Sequence, residues 1–132
     1  MPPLHVHNIG TQASDHFKNL TVGRQCYIGP DLFLDLKDHI EIEDRVTISM
    51  RVSLVTHLDA GESPVSLDYF PPQHKPIVLK EGVYIGAGAC ILMGVTIGEG
   101  AVIGAGSVIT RDVPAHSVIV GGTSRIVRQL ED

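Results

Sequence analysis

The sequence predicts an all-β chain of short strands and tight corners wound into stacked coils, and three observations carry that expectation. Ile, Leu and Val supply 39 of 132 residues while aromatics are only 5% and Trp is absent, so the core is aliphatic and β-branched. Fourteen Gly and eight Pro punctuate it, which suits many short strands better than long helices. Above all, an aliphatic residue recurs every sixth position. A six-residue period fits neither a helix nor a plain alternating strand; it fits a short strand plus a corner, repeated.

From the N-terminus, residues 1–19 carry no firm period and are expected to complete a first coil or a cap. Val22 and Ile28 open one frame, with Cys26 and Leu32 four residues after each. Leu36, Ile42, Ile48 and Leu54 continue in a frame displaced by two, with Ile40, Val46 and Val52 at the +4 places, so a two-residue insertion is expected near Leu34-Asp35. The segment 58–76 has four prolines and no period, and reads as one long loop. Leu79, Ile85, Ile91, Ile97, Ile103 and Ile109 then hold a single frame, a run that chance would give less than about once in a thousand. Small or β-branched residues stand four later (Val83, Ala89, Val95, Ala101, Ser107, Val113). Gly86, Gly98 and Gly104 follow the aliphatic directly and are expected to let the backbone turn the corner. Stacking such coils about 4.8 Å apart buries one continuous core.

The length makes one domain, 1–132. Fifteen acids against ten bases leave a net charge of −5, which argues against a broad nucleic-acid or anionic-membrane footprint. Two cysteines without zinc spacing are too few for a disulfide framework, and no apolar run approaches the ~18 residues of a membrane span. With no secretory signal pattern at the start, a cytoplasmic location is expected.

Runs such as Ile85-Gly86-Ala87-Gly88-Ala89-Cys90 and Ile103-Gly104-Ala105-Gly106-Ser107-Val108 resemble the hexapeptide-repeat acyltransferases, over about residues 20–128. Within that family the chain is most similar to maltose/galactoside O-acetyltransferase-like enzymes and polysaccharide O-acetyltransferases. Phe33-Leu34-Asp35, Ile40-Glu41-Ile42-Glu43-Asp44-Arg45-Val46, Thr56-His57 and the run from Gly104 to Pro114 carry the narrower match. The resemblance implies a left-handed parallel β-helix, here of about five coils with one long insertion (58–76), assembled as a homotrimer with active sites between subunits. It also implies acetyl transfer from acetyl-CoA to a sugar or polysaccharide-precursor hydroxyl, with no metal. N-acetylation of an amino sugar or xenobiotic, and a non-catalytic trimeric scaffold, are the alternatives.

Departures from a repeat are where sites arise. His57 stands at the mouth of the long insertion, where the resembling enzymes place their catalytic histidine. Acyl transfer from a thioester needs a base for the acceptor's proton, and an imidazole, ordinarily near pKa 6.5, suits the task. Asp35, in the two-residue insertion, matches an Asn or Asp that positions the acceptor hydroxyl. Tyr84 matches a Trp beside the thioester arm and is assigned to acceptor contact. The acetyl-CoA contacts implied by resemblance are Ala87 and Ala105 along the pantetheine, and Thr110, Arg111, Arg125 and Arg128 at the nucleotide end, where guanidinium groups would clamp phosphates. A zinc enzyme on the same scaffold would need three histidines on adjacent faces, two of them close in sequence; only His5 and His7 are so spaced, outside the firm repeat.

Overall fold

A computed structural model describes residues 6–7, 18–121 and 125–130. Its strands are two to five residues long and, apart from one two-stranded ribbon, fall into three sheets in which successive strands come from successive turns of the chain. The first face stacks Leu20–Val22, Ile40–Ile42, Ile77–Leu79 and Thr96–Ile97, all parallel. The second stacks Tyr27–Ile28, Thr47–Ile48, Tyr84–Ile85, Val102–Ile103 and Ser117–Val120, also parallel, and is closed at its end by the antiparallel strand Arg125–Gln129. Val6–His7, Phe33–Asp35, Ser53–Leu54, Cys90–Ile91 and Val108–Ile109 make the third. Three parallel ladders around one interior are the coil that a six-residue period demands.

Register places like on like. Ile28, Ile48, Ile85, Ile103 and Ile119 lie one above another, as do Leu34, Leu54, Ile91 and Ile109. All are buried, together with the small +4 residues Val46, Val52, Val83, Ala89, Val95 and Ala101. Each fully buried aliphatic contributes about 1.5–3 kcal/mol of apolar transfer, so the columns, not the two-residue strands, hold the fold.

The spacing between stacked residues shows where the chain departs from eighteen per turn. Leu20 sits under Ile40, two residues too many, which confirms an insertion. The strand residue of that turn is Leu34, paired with Leu54, rather than Leu36 as the frame suggested. The extra residues extend the strand to Asp35 and widen the corner after it, and Leu36 still tucks its side chain fully inside. Ile40 sits under Ile77, nineteen too many, and the segment 58–76 is nineteen residues long. That segment is not structureless. His57–Leu58 and Gln73–His74 pair as an antiparallel ribbon, and Pro64–Asp68 form a single helical turn.

The corner glycines serve differently from the expectation. Gly86 has no left-handed φ; a Cβ there would lie 2.6 Å from the backbone nitrogen of Ala105 in the next turn, so it is small because the coils touch. The left-handed turn is made two residues later, at Gly88 and Gly106, where φ is +72° and +73°. In the N-terminal half Asp31 and Arg51 take the same conformation at the same corner. Among the described residues no helix is long and apolar enough to cross a membrane.

Candidate active site

The corner between the third and first faces carries both insertions, and the chemistry collects there. The widened strand end places Asp35 in the interior, fully buried, where a carboxylate must be paired. Its Oδ1 accepts the Lys37 N–H at 3.1 Å and its Oδ2 accepts the Thr56 N–H at 3.0 Å. Oδ2 also receives His57 Nδ1 in a short hydrogen bond. Thr56, buried as well, donates its hydroxyl to the Asp35 carbonyl at 2.8 Å and accepts the Asp38 N–H at 3.0 Å. Directly after it, His57 emerges from the wall with its side chain 23% exposed.

This geometry settles the ring's orientation. Against an ionised carboxylate, which can only accept, Nδ1 is the donor and Nε2 is the ring nitrogen left for other partners. His57 stands between two cavities. One, of about 270 Å³, is polar and lined among others by Lys37, Asp59, Gln73 and His74. The other, of about 290 Å³, is apolar and lined by Val55, Leu58, Leu92 and Met93. The imidazole thus has a polar chamber on one side and an apolar slot on the other.

The remaining expected residues fall in three places. Asp35 lies behind His57, with no exposed surface and both carboxylate oxygens engaged within the chain. Thr110 and Arg111 continue the His57 corner one turn above Leu92, whose N–H bonds the Ile109 carbonyl. Arg111 and Arg125 line a common cavity of about 330 Å³ at the end of the coil, over Val113 and Ile119. Arg128 lies further along the same closing strand, opposite Val118. Ala87 and Ala105 lie one above the other at the corner between the second and third faces, the Gly106 N–H bonding the Ala87 carbonyl at 2.8 Å. Tyr84 is on the second face, between Thr47 and Val102, its hydroxyl accepting from Ser49 Oγ at 3.3 Å. Within one protomer it lines neither cavity that His57 lines.

Cys90 sits mid-strand between Ser53 and Val108, and burial pushes its thiol up, away from the reactive thiolate. Among the described residues no group of three His, Cys, Asp or Glu side chains is placed to hold a metal ion; His5 and His16 lie outside the described residues, as do Gly122, Thr123 and Ser124. Sequence reasoning missed Thr56, Asp38, His74 and the apolar pair Leu92-Met93. Nothing in a six-residue pattern marks them, since Leu92 and Met93 are ordinary corner positions and Asp38 and His74 lie in the two segments that interrupt the period.

The family described as Bacterial transferase hexapeptide (six repeats) matches residues 76–111. A 2,3,4,5-tetrahydropyridine-2,6-dicarboxylate N-acetyltransferase of Enterococcus faecalis is 47% identical over 62 residues, 47% of this chain and 27% of that protein. Among solved structures, a hexapeptide-repeat-containing acetyltransferase from Vibrio cholerae, known also in complex with acetyl-coenzyme A, superposes with a TM-score of 0.79 at 30% identity over 87% of this chain and 65% of that one. A galactoside acetyltransferase in complex with coenzyme A gives 0.77 at 30% identity, over 86% of this chain and 56% of that one. The chain thus spans about a quarter of that curated relative and just under two thirds of the Vibrio protein.

Proposed function

We propose that this chain, which carries the hexapeptide repeat of bacterial transferases, is a single-domain acetyl-CoA-dependent acyltransferase in which His57 is the general base and Asp35 holds it in place. The carrying observation is the Asp35–His57 pair at the boundary of a polar and an apolar cavity. When bound, acetyl-CoA supplies the thioester whose acetyl group is transferred. His57 takes the proton of the attacking hydroxyl or amine at Nε2 and returns it to the departing sulfur, so the base is regenerated each turnover. Asp35 stabilises the imidazolium in between, as a buried carboxylate behind a catalytic histidine does.

Val55, Leu58, Leu92 and Met93 fit an apolar arm, and the guanidinium groups of Arg111 and Arg125, converging on one cavity, fit phosphate oxygens. Arg128 and Thr110 extend that binding surface. Ala87 and Ala105 stand at another corner of the prism from His57, so their role requires the corner of a neighbouring subunit; a left-handed homotrimer with sites between protomers is the assembly that supplies it. Tyr84 would meet the bound molecules from that same neighbouring side.

For the acceptor, a sugar or polysaccharide-precursor hydroxyl is our reading. An amine acceptor is the second, favoured by the N-acetyltransferase among the relatives. A thiol-release screen with acetyl-CoA against sugars, nucleotide-sugars and amines tests both. His57→Ala should lower turnover by about 10²–10⁴ while acetyl-CoA binding persists, the usual worth of a positioned base. A variant that turns over within about threefold of wild type removes His57 from the mechanism. Absence of both CoA binding and thiol release in the wild-type protein would instead leave the scaffold reading.

A further inference from the structure

A second Asp–His pair stands beside the first, and the reaction above makes no use of it. In the ribbon that opens the long insertion, His74 is the residue directly across from His57. Opposed residues of an antiparallel pair project to the same side, their Cβ atoms about 5 Å apart. His74 Nδ1 lies 2.6 Å from Asp38 Oδ2, so its Nε2 edge is presented to the surroundings just as that of His57 is. Asp38 is held in turn: its Oδ1 accepts the His39 N–H at 2.6 Å and its own N–H donates to Thr56 Oγ1. Thr56 then donates to the Asp35 carbonyl, so one buried threonine fixes both pairs relative to each other. Partial burial raises the Asp38 carboxyl, but the hydrogen bonds from His74 and the His39 N–H, with the charge of both rings, outweigh it and hold the group below its ordinary value.

Lys37 shares the polar cavity with both histidines. Its backbone N–H is committed to Asp35, and it is the one lysine or arginine among the lining residues of that cavity. Asp59 lines the same cavity, with one oxygen engaged by the Gly61 N–H at 2.8 Å. The cavity therefore offers an ammonium and an orientated imidazole within reach of the base. An acceptor with only hydroxyls has little use for such a pair.

We propose that Lys37 and His74 form an anion-recognition pair for the acceptor, so that the molecules acetylated at His57 carry an anionic oxygen group, a carboxylate or a phosphate, beside the reacting hydroxyl or amine. This deepens the reading of His57 as base and rests on it. Recognition lies in the insertion and the widened corner, the two places where the repeat is broken, while the stacked coils hold both in position.

Matched probes test the pair: galacturonate against galactose for the carboxylate, and glucosamine 6-phosphate against glucosamine for the phosphate. Two measurements are made on the full chain, thiol release from acetyl-CoA and ¹⁵N chemical shifts of the histidine rings during titration with each probe. One anionic probe is expected to exceed its neutral partner by about 10–100-fold in kcat/KM, the discrimination a charged hydrogen-bonded contact gives. That probe should also move the His74 resonance saturably, and its neutral partner should not. Lys37→Met, which keeps the backbone bond to Asp35, and His74→Gln should each shrink the preference about tenfold or more with the acetyl-CoA KM unmoved. Equal use of both members of each pair, or no saturable His74 shift with either anion, overturns the proposal; so does a preference that survives both substitutions. Saturable anion binding without thiol release from any probe would keep the anion site and count against His57 as base.

Discussion

At the scale of single residues, the site depends on a threonine more than its modest chemistry suggests. The Thr56 backbone N–H and hydroxyl hold both the carboxylate and the carbonyl of Asp35, and the hydroxyl accepts from Asp38. Thr56→Val keeps shape and the backbone bond but leaves the Asp35 carbonyl and the Asp38 N–H without that partner. A loss of about 1–3 kcal/mol in denaturant stability is expected, with a fall in kcat at unchanged acetyl-CoA KM, while Thr56→Ser stays close to wild type. Stability equal to wild type in the valine variant would show that the network is not held this way. Ser107 poses the opposite case. It occupies an inward +4 position, fully buried, in the column that Ala89 occupies one turn earlier, and its hydroxyl has no hydrogen-bond partner among the described residues. Ser107→Ala removes an unpaired polar atom from an apolar column and should raise stability by about 1 kcal/mol, read as a higher urea midpoint at constant m.

At the scale of elements, the insertion is separable from the coil that carries it. Ile77 stands above Ile40 and Leu79 above Ile42, and the nineteen residues 58–76 account for the whole excess over an eighteen-residue turn. Deleting 58–76 joins His57 to Ile77, which puts Ile77 four and Leu79 six residues after Leu54, the places that Val95 and Ile97 hold after Ile91. The hexapeptide frame closes without a gap. The shortened chain is expected to fold, with the β-sheet circular dichroism of the parent, and to lose acceptor turnover, because His74 and one wall of each His57 cavity are gone. His57 would then take the left-handed corner conformation of Gly94, which costs a non-glycine residue about 1–2 kcal/mol, so a modest drop in Tm accompanies the deletion. Failure of the deletion to fold would mean that the ribbon, and not the stacked columns, holds the third turn.

At the scale of the whole molecule, acidic and apolar side chains gather at different parts of the outer surface. Glu41, Glu43, Asp44 and Glu81 gather around the first face and the corner that follows it. Tyr27, Tyr84 and Val120 on the second face, Met50 at the next corner and Val108 on the third face are exposed and apolar. A thin prism buries little core per residue, and exposed apolar side chains on two adjoining faces are where copies are expected to pack. Sedimentation equilibrium should give roughly three times the 14.2 kDa chain mass, and the double variant Met50→Glu, Val108→Glu should dissociate it. A wild-type monomer that still binds CoA would remove both the trimer and the intersubunit role of Ala87 and Ala105.

What the sequence determined by itself was the periodic part. A stacked coil repeats its surroundings every turn, so each inward Ile or Leu meets its own kind, and the pattern is legible because local spacing and long-range contact are the same fact. Ile85 and Ile103 are in register for the reason that they are eighteen residues apart. The two breaks were legible too, as a frame shift near Asp35 and a stretch without period at 58–76, and with them the position of His57. What the breaks contain was decided only in three dimensions. Asp35 reads as a corner carboxylate until the widened strand turns it inward beneath Thr56 and His57, and the insertion reads as loop until Gln73–His74 returns to pair with His57–Leu58. The hydrogen bonds of Asp35, to residues twenty-one and twenty-two positions away, follow no eighteen-residue turn, and that of Asp38 with His74 crosses the insertion. They depend on where an irregular segment closes, and that closure is set by the packing of the turns on either side of it.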